Sequence, residues 1–592
     1  MASSPIEQAH GVGPGGMIAP WASAVVQQFE VTPSLLQDAT NLFVQQLREG
    51  LAQDGTSLLQ VPSYVAKLPD GSEKGTCLAV DLGGTNLRVC SVELRGDSTY
   101  SVAKTKAAIP VALMTAPSYK DLFRFVAQQV EGFLLGAWPE GVEEWPWPER
   151  VREWRGVLAS REDVTGELRR KHAHPLGFTF SFTFDQHAID RGTLLFWTKA
   201  FTIKDAVGRD PCAMLQEALD EQGLPLVVAA LANDTVGALA ARAYSAGASA
   251  RRGNGAKTGT CSGTLLGAIF GTGTNGAYME RLENITKLHS QEQFADPERR
   301  RGRLQALNTE WGGFDGKLEV LPVTRYDAAL DRDSANPDDQ HFEKRISGMY
   351  LGEIMRLVLV DGCGPGGGLE GLRVPPTSRL FVPNSIDSSF LSALVSDRTA
   401  GLDSARGEIE GVLGVSDVAT ADAEAIRLVA EAIGRRAARL SAVAVAGVVI
   451  QSGRGSQGDQ TAAGAAWGVL ASLGVFRAVL LGIARRLASW LGLDVIGRPA
   501  TSSLPRQDDN EDGTDSSSSS SSGGGGEEID IGVDGSLFEH FPGFEGNMRA
   551  ALREMSGIGK MAEQRVRMSM AKDGSSVGAA LIAWTVAQSQ CS

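Results

Sequence analysis

Cysteine is scarce in this sequence, and its spacing fits no metal site. The chain has six cysteines in 592 residues and no C-x-x-C pair; they stand at positions 77, 90, 212, 261, 363 and 591. Structural zinc sites need closely spaced thiolates, and disulfide-stabilised folds need many cysteines in a short chain. The sequence therefore indicates neither kind of site, and a reducing compartment, the cytoplasm, is expected.

Positive charge is also in deficit. The chain has 56 lysines and arginines against 70 aspartates and glutamates, which gives a formal net charge of −14. Because phosphate polyanions would be repelled on average, nucleic acid and anionic membranes are disfavoured as the main partners. A local basic pocket for a single nucleotide remains allowed.

A membrane-spanning run is lacking as well. The most apolar stretch, residues 467–496, is interrupted by Arg477, Arg485 and Arg486 before any uncharged run reaches the ~18–20 residues of a span. A buried or docked helix is the favoured interpretation, and an interfacial membrane helix is the alternative. The N-terminus has neither a signal-peptide pattern nor a Met-Gly start. We therefore expect a cytoplasmic protein with no transmembrane segment.

Glycine, in contrast, is abundant. The 70 glycines are too many for a helical bundle and indicate many turns, while 43% hydrophobic and 21% charged residues are ordinary for a globular protein. A chain of this length can bury a large core. The composition therefore favours an α/β enzyme.

Local patterns predict several helices, strands and loops. Apolar residues at helical spacing between Leu35 and Leu47 predict a helix, and strands are predicted at residues 77–80, 87–94 and 265–270. Three further segments are predicted to lie outside the core: a polar surface loop at 246–262, a tryptophan-rich surface excursion at 138–154, and a serine- and glycine-rich disordered stretch at 507–528.

A glycine-rich turn between two strands occurs twice. The first reads Asp81-Leu-Gly-Gly-Thr-Asn-Leu-Arg88, and the second reads Phe270-Gly-Thr-Gly-Thr-Asn275. Such turns leave backbone N–H groups free to bind phosphate oxygens, and threonine hydroxyls add further hydrogen bonds. Neither turn is a Walker loop, and neither leads into the helix that a Rossmann site requires. Two matched turns could hold one triphosphate from both sides, which suggests the two-lobed actin-like ATPase architecture.

Further segments carry a resemblance to a known family. The sequence resembles the hexokinase family over most of residues 30–450 and 527–585, and its residue patterns are similar to those of fungal glucokinases. The matching segments are LGFTFSFT (176–183), GTLLFWTKAF (192–201), LANDTVG (231–237), NTEWGGF (308–314), SANP (334–337), FEK (342–344), SGMYLGE (347–353), IGVDGS (531–536) and DGSSVGAA (573–580). The resemblance implies ATP- and Mg²⁺-dependent phosphorylation of glucose, and of other hexoses such as mannose, at the 6-hydroxyl, giving hexose 6-phosphate for glycolysis.

The same resemblance implies the fold and its division. We expect an α/β, two-lobed actin-like ATPase (ribonuclease H-like) fold with a small and a large domain around a central cleft. The expected parts are an N-terminal arm and helix packing on the large domain (1–76), a small domain (77–232), a large domain (233–572) with an apolar and low-complexity insertion (467–526), and a C-terminal helix returning to the small domain (573–592). A monomer or a homodimer is expected.

The resemblance also assigns roles to individual residues. Asp234 is implied as the catalytic base, with Lys199 and Arg88 as the other catalytic residues, and Asp81 as the residue that holds Mg²⁺ through water. The implied sugar ligands are Ser181, Thr198, Lys199, Asn233, Asp234, Asn275, Glu310 and Glu343. The implied ATP contacts are Asp81, Gly83, Gly84, Thr85, Asn86, Arg88, Gly271, Thr272, Gly273, Gly532, Asp534, Gly535 and Ser536.

Two positions depart from the family pattern. Thr183 stands where the family usually has proline, and Ala200 stands where it usually has glycine. Both lie near the implied sugar pocket, where we expect them to alter the affinity for the sugar and the choice of sugar. The alternatives are therefore a catalytically weak hexokinase-like sugar sensor or regulator, and a kinase for another sugar such as a hexosamine or mannose.

Overall fold

Two mixed β-sheets form the core of the fold. The structure is a computed structural model, and it describes residues 20–137, 139, 145–160, 172–197, 201–252, 263–369, 371–455 and 527–591. The chain divides into two units, residues 1–455 with 528–592 and residues 456–527, and every element named below belongs to the first. The strands are β1 (Val61–Pro62), β2 (Lys74–Leu82), β3 (Asn86–Arg95), β4 (Tyr100–Ala108), β5 (His174–Phe180), β6 (Thr183–Ala188), β7 (Arg191–Phe196), β8 (Leu226–Ala232), β9 (Thr264–Phe270), β10 (Thr274–Arg281), β11 (Leu304–Asn308), β12 (Ile529–Asp534) and β13 (Val566–Met570).

Helices surround the sheets. They are α1 (Pro20–Gln28), α2 (Pro33–Ala52), α3 (Val111–Met114), α4 (Tyr119–Leu135), α5 (Trp147–Ala159), α6 (Pro211–Glu221), α7 (Asp234–Arg252), α8 (Pro297–Arg300), α9 (Arg325–Asp333), α10 (His341–Ile346), α11 (Gly348–Gly362), α12 (Ser388–Ser396), α13 (Asp403–Leu413), α14 (Thr420–Gln451), α15 (Ser536–His540), α16 (Phe544–Glu554), α17 (Gly559–Glu563) and α18 (Gly574–Cys591). Within the described ranges, no helix combines the length and the apolarity needed to cross a bilayer.

Both large sheets repeat one arrangement. In the five-stranded sheet, the antiparallel strands β4, β3 and β2 are followed by the parallel strands β5 and β8. In the six-stranded sheet, β11, β10 and β9 are antiparallel, β12 and β13 follow in parallel, and the short β1 pairs with β11 at the edge. This duplicated topology is the ribonuclease H-like fold of the actin-like ATPases. The predicted fold class and the three predicted strands are confirmed.

A pair of helices connects the two sheets. Helix α18 packs on β2 and β5 of one sheet, α7 packs on β9 of the other, and the two helices pack on each other. Glycines allow this close approach: a Cβ atom at Gly578 would lie 1.8 Å from the carbonyl oxygen of Gly237, and one at Gly267 would lie 2.4 Å from the backbone nitrogen of Leu239. The first turns of both helices are thereby held beside the strand ends that carry the glycine-rich turns.

The predicted N-terminal helix is confirmed as α2. Thr32 caps it, because its side chain accepts a hydrogen bond from the backbone N–H of Leu35, and Pro33 occupies the first turn, where a missing N–H costs nothing. Its apolar face is buried, and Phe43 packs against Phe314 with ring centroids 4.9 Å apart. The boundaries predicted for the domains stay a prediction.

The tryptophan-rich segment does not lie on the surface where it is described. Trp145, Trp147 and Trp154 are 7%, 0% and 4% exposed, and the Trp147 indole N–H donates to the hydroxyl of Ser91 at 3.2 Å. Trp145 packs edge-on against Phe133 of α4. The prediction of a surface excursion is therefore wrong for these residues, because the tryptophans form the apolar face of α5 and of the turn before it.

The predicted loop at 246–262 is also partly wrong. Residues 246–252 continue α7, since alanine and serine sustain a helix and one glycine does not end it. Residues 253–262 lie outside the described residues. So do residues 456–526, and with them the apolar stretch at 467–496 and nearly all of the low-complexity run.

Candidate active site

The first glycine turn joins β2 to β3. The Gly83 N–H donates to the carbonyl oxygen of Asn86 at 3.0 Å, which closes the turn, and Thr85 is exposed at its tip. The carbonyl oxygen of Thr85 accepts a hydrogen bond from the Ile109 N–H at 2.9 Å. The predicted contacts Gly83, Gly84, Thr85 and Asn86 thus share one turn that is anchored at both sides.

The Asp81 carboxylate lies at the base of this turn. Its side chain is 4% exposed, whereas the side chain of its partner Arg88 is 44% exposed, and the Arg88 Nη1 donates to Asp81 Oδ2 at 2.9 Å. The hydroxyls of Ser575 and Ser576, in the first turn of α18, donate to the same oxygen at 3.2 and 3.4 Å. These two serines had not been predicted as site residues, although the matching segment at 573–580 contains them.

Three predicted residues stand at the carboxyl ends of strands parallel to β2. Ser181 follows β5, and its N–H donates to the carbonyl oxygen of Leu82 at 3.3 Å. Asn233 and Asp234 follow β8, which pairs with β5. Parallel strands end at the same edge of a sheet. The first glycine turn therefore lies at the same edge as Ser181, Asn233 and Asp234.

Asp234 is the first residue of α7. The Asn233 side-chain oxygen accepts hydrogen bonds from the N–H and the hydroxyl of Thr235, at 2.9 and 2.6 Å, which fixes the turn from strand to helix. The Asp234 Oδ1 also accepts from the Thr235 N–H at 2.9 Å. The positive end of the helix dipole stabilises a negative charge at this position.

The second glycine turn joins β9 to β10 and is held by the start of α11. The Gly271 N–H donates to the carbonyl oxygen of Gly273 at 3.0 Å. The N–H groups of Gly348 and Met349 donate to the carbonyl oxygens of Gly271 and Thr272, at 2.7 and 3.1 Å. The Thr272 side chain is left exposed at the tip.

The turn after β12 packs directly on this second turn. A Cβ atom at Gly271 would lie 3.2 Å from the Cα of Gly535, whose own φ is +115°, a conformation that favours glycine. Burial raises the pKa of the adjacent Asp534, and the charge of Asp573 raises it further. The predicted contacts Asp534, Gly535 and Ser536 are thus brought to the second turn. Gly532 lies inside β12 instead, where a Cβ atom would lie 2.6 Å from the Cβ of Arg242.

The start of α18 connects the two turns. Ser575 donates to Asp81 on the first-turn side, and the backbone N–H of Gly574, the first residue of α18, bonds the Asp534 carboxylate on the second-turn side. A Cβ atom at Gly237, one helical turn after Asp234, would lie 2.5 Å from the Ser575 carbonyl oxygen. The first glycine turn, the turn after β12 that packs on the second glycine turn, and the start of α7 therefore all meet the first turn of one helix.

A chain of polar side chains connects Asn275 to Glu310. The Asn275 Nδ2 donates to Asn308 Oδ1 at 2.7 Å, and the Asn308 Nδ2 donates to Glu310 Oε1 at 2.7 Å. Burial raises the pKa of Glu310, and the hydrogen bond from Asn308 opposes that rise. Glu310 has a left-handed φ of 51°, which turns the chain at the end of β11. Asn308 had not been predicted, although its position at a strand end in the NTEWGGF segment was a usable signal.

Glu343 approaches this polar chain from α10. A Cβ atom at Gly312 would lie 3.0 Å from one Glu343 carboxylate oxygen, and a Cβ atom at Gly273 would lie 3.4 Å from the other. The side chain is half-buried. Glu343 therefore lies between the second glycine turn and the segment that begins with Glu310.

The structure leaves some predicted residues undescribed. Three positions lie outside the described residues: Thr198, Lys199 and Ala200, the last of which departs from the family pattern. Thr183, the other residue that departs from the family pattern, is the first residue of β6 and pairs with Phe196 of β7. The predicted roles of all the site residues stay predictions.

Comparisons with known proteins give one result. Two family models, both described as Hexokinase, match residues 22–244 and 265–585. The chain is 39% identical to a glucokinase of Aspergillus niger over 569 residues, covering 95% of this chain and 96% of that one. It is 33% identical to glucokinase-1 of Saccharomyces cerevisiae, covering 94% and 95% of the two chains.

Solved structures agree with the sequence matches. The hexokinase of Schistosoma mansoni complexed with glucose superimposes with a TM-score of 0.65 at 25% identity, covering 95% of this chain and 98% of that one. The shared topology, the two matched glycine turns and the similarity along nearly the whole length lead to the same conclusion: the chain belongs to the hexokinase family.

Proposed function

We propose that this chain transfers the terminal phosphoryl group of ATP to the 6-hydroxyl of glucose, and of related hexoses such as mannose, giving hexose 6-phosphate for glycolysis. The observation that carries the proposal is the meeting of the first glycine turn and the turn after β12 at the start of α18, with Asp234 at the strand ends beside the first turn. The glucokinases among its relatives and the glucose-bound hexokinase support the choice of reaction and sugar.

In this proposal Asp234 accepts the proton of the sugar's 6-hydroxyl. Phosphoryl transfer needs positioning and charge neutralisation, and one residue that receives the proton of the nucleophile. Asp234 begins a helix two residues after a buried strand, and the Asn233 bonds to Thr235 fix the turn between them. Arg88 and Lys199 would favour the negative charge on the transferred group.

The sugar pocket is proposed around the polar chain of β10 and β11. A hexose presents a ring of hydroxyls, which need carboxylates and amides at fixed angles. Asn275, Asn308 and Glu310 are already bonded to one another, so their orientations are set before a sugar arrives. The proposed sugar ligands remain Ser181, Thr198, Lys199, Asn233, Asp234, Asn275, Glu310 and Glu343.

The nucleotide is proposed to bind between the two turns. Backbone N–H groups and the threonine hydroxyls of both turns would contact its phosphates, and the segment around Asp534 would lie beside the adenosine. The proposed contacts are Asp81, Gly83, Gly84, Thr85, Asn86, Arg88, Gly271, Thr272, Gly273, Gly532, Asp534, Gly535 and Ser536.

A single carboxylate, that of Asp81, is proposed to hold the metal ion through water. Within the described part of the chain, no three His, Cys, Asp or Glu side chains form a group that could hold a metal. Mg²⁺ usually keeps several waters and binds through one or two carboxylates together with substrate phosphates. Asp81 fits this mode, because its described donors all bond to Oδ2. Bound Mg²⁺ would neutralise phosphate charge.

An assay of ADP release with glucose, mannose, fructose and glucosamine tests the proposal. We expect turnover with glucose, and we expect Asp234→Ala to lower kcat by at least roughly 100-fold while glucose still binds. Asp121→Ala, at an exposed ion pair with Arg124 on α4, is the matched control and should retain turnover. Near-normal kcat in Asp234→Ala would remove that residue from the base role. Glucose binding by the wild type without ADP release would favour the sugar sensor instead.

We further propose a cytoplasmic monomer or homodimer. Its proposed parts are an N-terminal segment (1–76), a small domain (77–232), a large domain (233–572) and a returning C-terminal helix (573–592). Light scattering after gel filtration measures the oligomeric state, and cell fractionation measures the location.

A further inference from the structure

Gln186 bonds its own strand and two separate segments through one amide nitrogen. It lies on β6 and is 5% exposed, and its Nε2 donates to the carbonyl oxygens of Ser63, Ala188 and Leu231 at 3.2, 3.1 and 3.0 Å. A glutamine amide has two N–H groups, so two donors serve three acceptors and one bond is shared. Such a bond set requires a side-chain donor at this position, since neither a carboxylate nor an apolar side chain can supply it.

The register of the β6–β7 hairpin is irregular beside this side chain. Gln186 pairs with Gly192 of β7, whereas Ala188 pairs with Arg191, so the register shifts between them. A bulge of this kind re-aims a side chain and is a common device next to active sites. Gly192 allows the hairpin to approach the body of the protein, because a Cβ atom there would lie 3.1 Å from a methyl group of Leu231.

The two distant acceptors are the carbonyl oxygens of Leu231 and Ser63. Each lies close to a strand end that carries proposed sugar-binding residues. Leu231 lies two residues before Asn233 in β8, and its own N–H donates to the Ile189 carbonyl at 2.7 Å. Ser63 is fixed on β11, where its N–H and its hydroxyl donate to the Ala306 carbonyl at 3.0 and 2.8 Å. Two residues further along β11 stands Asn308, the partner of Glu310.

We propose that Gln186 is a positioning residue for hexose binding, which keeps the Asn233–Asp234 end of β8 in register with the Asn308–Glu310 end of β11. The inference rests on the proposed glucose kinase function and adds to it a residue that does not touch the sugar. Glucose must be gripped from both strand ends at once, so losing the connection lowers sugar affinity. The phosphate turns are held by other bonds and are unaffected.

Two nearly isosteric substitutions test the proposal. Gln186→Met removes the donors, and Gln186→Glu places an acceptor against three carbonyl oxygens. We expect the KM for glucose to rise about tenfold in Gln186→Met, which is ~1.4 kcal/mol, and further in Gln186→Glu. The KM for ATP should stay within about twofold of wild type. If Gln186→Met does not fold, Gln186→Asn, which keeps the amide but is one methylene shorter, takes its place.

A matched glutamine controls for general loss of stability. Gln216 of α6 bonds the beginning of the same strand β8: its Nε2 donates to the Leu226 carbonyl at 3.1 Å, and its Oε1 accepts from the Val228 N–H at 2.9 Å. Gln216→Met should lower the melting temperature and leave the KM for glucose unchanged. Equal rises in the KM values for glucose and ATP, no rise in either Gln186 variant, or the same rise in Gln216→Met would overturn the proposal. A wild type that releases no ADP with any hexose would instead refute the proposed function.

Discussion

The hydrogen bond from Asn308 to Glu310 allows a quantitative prediction. In Asn308→Leu the shape of the side chain is nearly kept, while Glu310 loses a donor at 2.7 Å and Asn275 loses its acceptor at 2.7 Å. A hydrogen bond to a charged group contributes ~1.5–3 kcal/mol. If glucose needs the oriented carboxylate of Glu310, its affinity should fall roughly 10- to 150-fold.

The pH dependence makes this prediction more specific. Burial already raises the pKa of Glu310, and the Asn308 bond holds that rise in check, so its removal raises the pKa further. A sugar that binds the ionised carboxylate loses affinity as pH falls through this pKa. We therefore expect the KM for glucose to rise on acidification, and to do so at a higher pH in Asn308→Leu than in the wild type.

The folding stability depends on pH in the opposite direction to the sugar affinity. A carboxyl group whose pKa is higher in the folded protein than in the unfolded chain binds more protons when folded. Its contribution to folding is therefore greatest at low pH and declines as pH rises between the unfolded and the folded pKa. The sugar-free Asn308→Leu variant should lose more stability than wild type over this interval.

Steady-state kinetics over a pH series that starts near the ordinary pKa of a glutamate and extends upward measure the effect. Gln305→Leu is the control, because Gln305 is buried on the same strand and its Nε2 has no partner within the described residues. An unchanged pH profile in Asn308→Leu, or an equal shift in Gln305→Leu, would refute the reasoning.

Three further predictions concern the framework around the site. Arg242→Leu should lower the free energy of unfolding by ~3–5 kcal/mol in denaturant titrations, because it leaves Asp530 buried without its ion-pair partner; a loss below about 1 kcal/mol would contradict this. Gly578→Ala should prevent normal folding, since its Cβ atom would overlap a backbone oxygen of α7. The control Gly546→Ala meets open space and should fold, and circular dichroism measures the folding of both variants. Deleting residues 467–526 should leave kcat largely intact, because all described candidate site residues lie outside that range; a folded but inactive deletion variant would contradict it.

The strands and glycine turns could be predicted because they depend on short-range patterns. The run from Cys77 to Val80 is continuously apolar, as a strand covered on both faces must be, and it leads directly into a glycine turn. The same pattern at residues 265–270 indicated the duplication that both sheets display. The surface prediction failed at Trp145, Trp147 and Trp154 because local composition does not record which faces become buried. The loop prediction failed at 246–252 because alanine and serine there sustain the helix.

The sequence by itself determined the family, the duplicated sheet and the residue types of the site, because motif spacing and apolar runs are local properties of the chain. Only the tertiary structure decided which side chains meet. The serines of α18 bond Asp81 across 494 and 495 positions of the chain, and Gln186 bonds Ser63 across 123. Such contacts depend on how helices pack against sheets, which no pattern within a short window encodes.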